Sequence, residues 1–150
     1  MVARAAMRAM GAPAVGNGSA RQVTLALFKP DLVACPPYVR AVKDYLAAHT
    51  ALRIELSREL LCPPALAAAF YHQHEGRFYY QRLIEGITSG PLEALVLAGP
   101  DAIAAWRAVI GPTHPPRARR HAPDSLRARF GLTDTRNSFH GSGTRATPEP

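Results

Sequence analysis

Asn137-Ser138-Phe139-His140-Gly141-Ser142 sets a histidine between an asparagine and a Gly-Ser turn, close to the end of the chain. An imidazole is partly neutral at neutral pH and attacks phosphorus without a separate strong base. A lone histidine is more often an ordinary polar residue, so its meaning depends on what else the chain supplies. Far upstream, Lys29-Pro30-Asp31 closes an apolar run, and arginines cluster between the two stretches. A nucleophilic histidine with a phosphate cradle accounts for all three features.

Working outward, Val23-Thr24-Leu25-Ala26-Leu27-Phe28 is a continuous apolar run and reads as a strand buried on both faces. Pro30 ends it, because proline cannot donate to a sheet ladder. Pro37 opens a helix in which Tyr38, Ala41, Val42, Tyr45 and Leu46 follow a helical period. Leu52 to Leu61 alternates Leu52, Ile54 and Leu56 with Arg53, Glu55 and Ser57, as a half-exposed strand does. Pro63-Pro64 start a second helix with Leu66, Ala69 and Phe70 on one face. A third helical stretch carries Tyr79, Leu83 and Ile87, and Ser89-Gly90-Pro91 stops it. Leu92 to Leu97 is another apolar strand, and Pro100-Asp101 begin a helix aligning Ile103, Trp106 and Ile110.

Residues 111–124 hold four prolines around Arg117, Arg119 and Arg120 and read as a long loop, of the kind that is functional or disordered in compact domains. The three arginines read as a solvated face or an acidic partner's footprint. The order of elements predicts an α+β sandwich with helices over a mainly antiparallel sheet.

The bulk numbers agree. A chain of 150 residues with 47% hydrophobic and 19% charged residues suits one domain with a sizeable core, here residues 22–142. The formal net charge of +7 favours anionic partners without choosing among them. Cys35 and Cys62 have no metal-ligand spacing and imply no disulfide framework. No apolar run is long enough to span a bilayer. Residues 1–21 form an Ala-rich basic leader with Arg4 and Arg8 and no acid, a composition that fits a mitochondrial transit peptide. The alternative is a leader with no address and a cytoplasmic protein. Residues 143–150 are expected to be a disordered tail.

From Thr24 to Ser142 the chain resembles nucleoside diphosphate kinases. The Lys29-Pro30-Asp31 step, the Pro-rich loop, and the Asn-x-x-His-Gly-Ser segment carry the resemblance. The longer loop, with Glu75-Gly76-Arg77-Phe78-Tyr79-Tyr80 and Gly131 to Asn137, looks most like the nucleoside diphosphate kinase 6 subgroup. The resemblance implies a ferredoxin-like α/β fold. It also implies transfer of the terminal phosphate from ATP to a nucleoside diphosphate, by a ping-pong route through a phosphohistidine. His140 is the nucleophile that it implies. Lys29 matches the lysine that reaches the transferred phosphate, where a compact ammonium supplies charge. Tyr71 matches a tyrosine beside the histidine that orients it or moves protons.

Arg107, Thr113 and Arg127 match residues that bind the phosphates, and an arginine fork suits paired phosphate oxygens. Arg129, two residues on, is the alternative register for Arg127. Tyr79 replaces the phenylalanine that stacks on the base, and Asn137 matches the residue that meets the ribose 3′-hydroxyl. Mg²⁺ is expected on the nucleotide phosphates rather than in a protein cage. A homo-oligomer or a protein partner is a further expectation.

Two departures stand out. Gly143 replaces the aspartate that follows His-Gly-Ser in the family. The family's last helix, with the glutamate that orients the histidine, does not occur before Pro150, and Glu149 lies in a Gly/Pro tail. A weakly or conditionally active enzyme is therefore expected. The alternative is a noncatalytic nucleotide-binding or scaffold protein that has lost turnover. Against a nucleic-acid module, the basic residues track the phosphate loop and no aromatic-rich binding strand is present.

Overall fold

The apolar run Gln22–Phe28 forms strand β1, and period-2 alternation divides its side chains between two cores. Val23, Leu25 and Leu27 face one side of the sheet, and Ala26 and Phe28 face the other. A strand buried on both faces is what the unbroken run predicted. The computed structural model describes residues 21–143. The predicted leader, apart from Arg21, and the tail from Thr144 onward lie outside the described residues.

Pro30 does end the strand, but the chain goes straight into a one-turn helix, α1 (Pro30–Val33), with proline in its first turn. Helix α2 (Pro36–His49) follows and buries Val42 and Leu46. Strand β2 (Arg53–Leu61) then leads to α3 (Pro64–Phe70), a 3-10 turn at His72–His74, and α4 (Tyr80–Thr88). Strand β3 (Pro91–Gly99) and α5 (Ala102–Ile110) come next. Two short helices, α6 (Pro115–His121) and α7 (Leu126–Phe130), precede strand β4 (Phe139–Gly141).

The sheet order is β2-β3-β1-β4, and every pair is antiparallel. Helices α3 and α4 cover one face through Ala67, Leu83 and Ile87. Helices α2 and α5 cover the other through Val42, Leu46, Trp106 and Ile110. Phe28, Trp106 and Phe139 meet in that second core, with ring centroids 5.6–6.3 Å apart. This is the predicted α+β sandwich.

Several expectations need correction. The Pro-rich stretch is not one loop, because Pro115 opens α6 and Ala118 on its inner side is fully buried. In α3 the inward residue is Ala67, while Leu66 is 40% exposed, so the predicted apolar face was turned by about one residue. In α5 the buried stripe is Ala102, Trp106 and Ile110, and Ile103 sits at its edge. Tyr79 precedes α4 rather than lying within it. A bulge between Ile54 and Leu56 breaks the simple alternation of β2.

Candidate active site

The ends of β1 and β4 lie side by side, pairing Leu27 with His140 and Phe28 with Phe139. That register brings Lys29, just past β1, and the histidine on β4 to one end of the sheet across more than a hundred residues of sequence. The tie continues beyond the ladder, where the Lys29 amide donates to the Ser138 carbonyl at 2.9 Å. A cavity of about 800 Å³ opens there. All eight candidate residues line it: Lys29, Tyr71, Tyr79, Arg107, Thr113, Arg127, Asn137 and His140.

His140 is held from three sides. Its carbonyl accepts from Trp106 Nε1 at 2.9 Å, and its backbone sits in the sheet. The Phe70 ring packs edge-on to the imidazole with centroids 4.6 Å apart. Gly141 allows the close approach of Trp106, because a Cβ there would lie 3.0 Å from its ring. Burial, then the positive charges of Lys29, Arg127 and Arg107, lower the imidazole pKa to about 3. The ring is therefore neutral at physiological pH and keeps a nitrogen lone pair.

Lys29 Nζ donates to Asn137 Oδ1 at 2.9 Å and lies 6.0 Å from the Tyr71 ring centroid. Burial lowers its pKa to about 8, opposed by the nearby Asp31 carboxylate and reinforced by Arg127. Asn137 in turn donates to the Thr113 carbonyl at 3.2 Å and the Asp134 carbonyl at 2.9 Å. Lysine, asparagine and the loop carrying Thr113 thus form one hydrogen-bonded chain. Burial, with smaller contributions from Cys62 and Asp31, pushes the Tyr71 phenol far above its ordinary range, so it stays protonated.

Arg127 has a more structural place than a free phosphate fork. Its Nη1 donates to the Gly111 carbonyl at 2.7 Å and its Nη2 to the Phe139 carbonyl at 2.9 Å. Its buried Nε has no partner among the described residues. Burial and the Arg107 charge lower its pKa to about 10, which leaves it cationic at neutral pH. Arg129, the alternative two residues on, points elsewhere and lies over the rings of Tyr45 and Phe130. Arg107 and Thr113 are exposed at the cavity wall. Arg117 and Arg120 are solvated as expected, but Arg119 donates to the Gly131 carbonyl at 2.6 Å and secures the loop after α7.

The structure also adds residues. Phe70 and Trp106 frame the histidine, and His72, His74 and His114 line the cavity. Tyr79 hydroxyl lies 3.3 Å from His74 Nδ1. Trp106 was legible only as a core residue, since its indole bond depends on β4 docking beside α5.

The cavity lining is rich in cations, and Asp134 is its one acid. Among the described residues no three His, Cys, Asp or Glu side chains converge on a metal position. A lining with Lys29, Arg107 and Arg127 suits an anion.

An antiparallel α+β sandwich that presents a neutral histidine beside the buried cations Lys29 and Arg127 is built to receive an anionic group. The comparisons with known proteins make this specific. The family model for nucleoside diphosphate kinase matches residues 22–149. Nucleoside diphosphate kinase 6 of Rattus norvegicus is 53% identical over 81% of this chain and 69% of its own length. The chain spans about two thirds of the length of the curated relatives it matches first. A crystal form of the Aquifex aeolicus nucleoside diphosphate kinase superposes with a TM-score of 0.75 at 34% identity, over 84% of this chain and 88% of that one. A halophilic nucleoside diphosphate kinase from Halobacterium salinarum, solved in complex with CDP, gives a TM-score of 0.73 at 29% identity, over 81% and 76% of the two chains. The chain belongs to the nucleoside diphosphate kinase family.

Proposed function

We propose that this chain moves the terminal phosphate of ATP to a nucleoside diphosphate through a phosphohistidine at His140. The observation that carries the reading is a neutral imidazole at the end of a cavity lined by Lys29, Arg107 and Arg127. In the first half-reaction a ring nitrogen of His140 attacks the γ-phosphorus. The N–P bond forms and the bond from phosphorus to the bridging oxygen breaks, leaving ADP. In the second, a terminal oxygen of the nucleoside diphosphate attacks the same phosphorus, the N–P bond breaks, and His140 returns to its neutral form.

Lys29 follows the transferred group with positive charge, and Asn137 holds its ammonium in place. Arg107, Thr113 and the remaining N–H groups of Arg127 receive the phosphates. Tyr71 stays a neutral donor beside the reaction path. Tyr79 presents an aromatic face at the cavity for a base of any kind. Mg²⁺ bound to the nucleotide would neutralise phosphate charge. The CDP complex of the halophilic relative supports a nucleotide ligand for this cavity. The composition of the leader supports a mitochondrial address, to be tested by fusing residues 1–21 to a fluorescent reporter.

The experiment is incubation of the purified chain with γ-labelled ATP and Mg²⁺, beside His140→Ala. An acid-labile, alkali-stable label in the wild type alone, discharged by added nucleoside diphosphate, is the expected result. A folded chain that binds nucleotide and takes no label rejects transfer in favour of a binding or scaffold role.

A further inference from the structure

Ser138 separates the asparagine from the nucleophile's strand, and its backbone is in an uncommon conformation. Its φ is 67°, where residues other than glycine rarely sit. The Phe139 amide donates to the Asn137 carbonyl at 2.8 Å, so three residues close a tight turn centred on Ser138. A three-residue turn with positive central φ is the rare and strained form. Such a conformation persists only where its surroundings hold it.

Those surroundings are specific. The Ser138 hydroxyl lies 2.8 Å from Asp31 Oδ2 and 3.1 Å from the Phe130 carbonyl, two acceptors on different elements. Its own carbonyl accepts from the Lys29 amide. The residue is 1% exposed, so water does not compete for these bonds. Asp31 belongs to the one-turn helix α1 that begins directly after Lys29. The hydroxyl therefore joins the segment carrying Lys29 to the segment carrying Asn137 and His140. An alanine at this position would keep the strain and lose the join.

We propose that the Ser138 side chain is a positioning residue, a clamp on Asp31 that holds the strained turn and thereby sets His140 against Lys29. The inference rests on the phosphohistidine reading for its kinetic consequence, while its geometric consequence stands without it. Ser138 touches no reacting atom.

Ser138→Gly is the decisive variant. Glycine adopts the positive φ without cost, so the turn is retained while the hydroxyl is removed. Ser138→Ala keeps the backbone strain and is the harsher comparison. In folded Ser138→Gly at saturating ATP, phosphohistidine formation should slow about 10-fold, since small misplacements of reacting groups are costly. Its affinity for ADP should change less than about threefold, a split that simple loss of folded protein does not produce. A wild-type rate in folded Ser138→Gly overturns the inference. So does a rate that falls only in step with ADP affinity. The ¹⁵N signals of the His140 ring report the same geometry in the absence of turnover. They should shift in Ser138→Gly, and unchanged signals overturn the clamp. A wild-type chain that binds ADP but takes no label rejects the transfer reading, and the ring signals then decide the clamp alone.

Discussion

Lys29 and His140 are both pushed toward their neutral forms by burial, and the consequences run in opposite directions along the pH scale. In the proposed transfer the lysine acts as a cation, and its ammonium is lost as pH rises through about 8. Phosphohistidine formation should therefore fall on an alkaline limb near pH 8, measured as labelling rate between pH 6 and 10. In the same transfer the histidine acts in its neutral form, and with a folded pKa of about 3 it stays so throughout that range. Its linkage to stability lies in acid. The unfolded chain takes up a proton as pH falls below the ordinary 6.5, while the folded chain resists until about 3. Stability is lost across that window at up to about 1.4 kcal/mol per pH unit. His140→Gln should flatten the pH dependence of unfolding between pH 6 and 4, read by urea titration. An unchanged slope would assign the acid sensitivity to other groups.

At the scale of elements, β4 has three residues and would not hold its place by sheet pairing alone. Helix α5 secures it through Trp106, whose indole N–H reaches the His140 carbonyl and whose ring packs on Phe28 and Phe139. Trp106→Phe keeps most of the apolar contact and removes the bond. It should lower unfolding free energy by about 1–3 kcal/mol, the cost of an unsatisfied buried carbonyl plus lost volume. The turn from α5 into the loop depends on Gly111, at φ 76°, where a Cβ would lie 2.5 Å from Ser125 Oγ. Gly111→Ala combines a disfavoured backbone with a collision and should cost more than about 1 kcal/mol. Because Arg127 Nη1 is bonded to the Gly111 carbonyl, the same change should weaken nucleotide binding, measured by titration with ADP. The sequence announced the apolar runs and the prolines at helix starts. It did not announce α6, because its prolines and three arginines match a solvated loop, and the burial of Ala118 is set only by the folded chain.

For the whole molecule, the excess of positive charge and the cation-lined cavity predict ligand-linked stability. ADP at a hundred times its dissociation constant should stabilise the fold by about 2.7 kcal/mol. A thermal shift of several degrees is the expected readout, smaller at high salt as the charges are screened. Absence of any shift with ADP, GDP or CDP would set the cavity apart from nucleotide binding. By itself the sequence determined the sandwich, because two-faced apolar strands and amphipathic helices can bury their surfaces in few ways. Through resemblance it also nominated eight of the residues that line the cavity. Tertiary structure decided how they act together. Docking of β4 beside β1 put Lys29 next to Asn137, committed two N–H groups of Arg127 to backbone carbonyls, and joined Ser138 to Asp31. Those contacts span up to 108 positions along the chain and follow no local period, so they exist only once the sheet edge has closed.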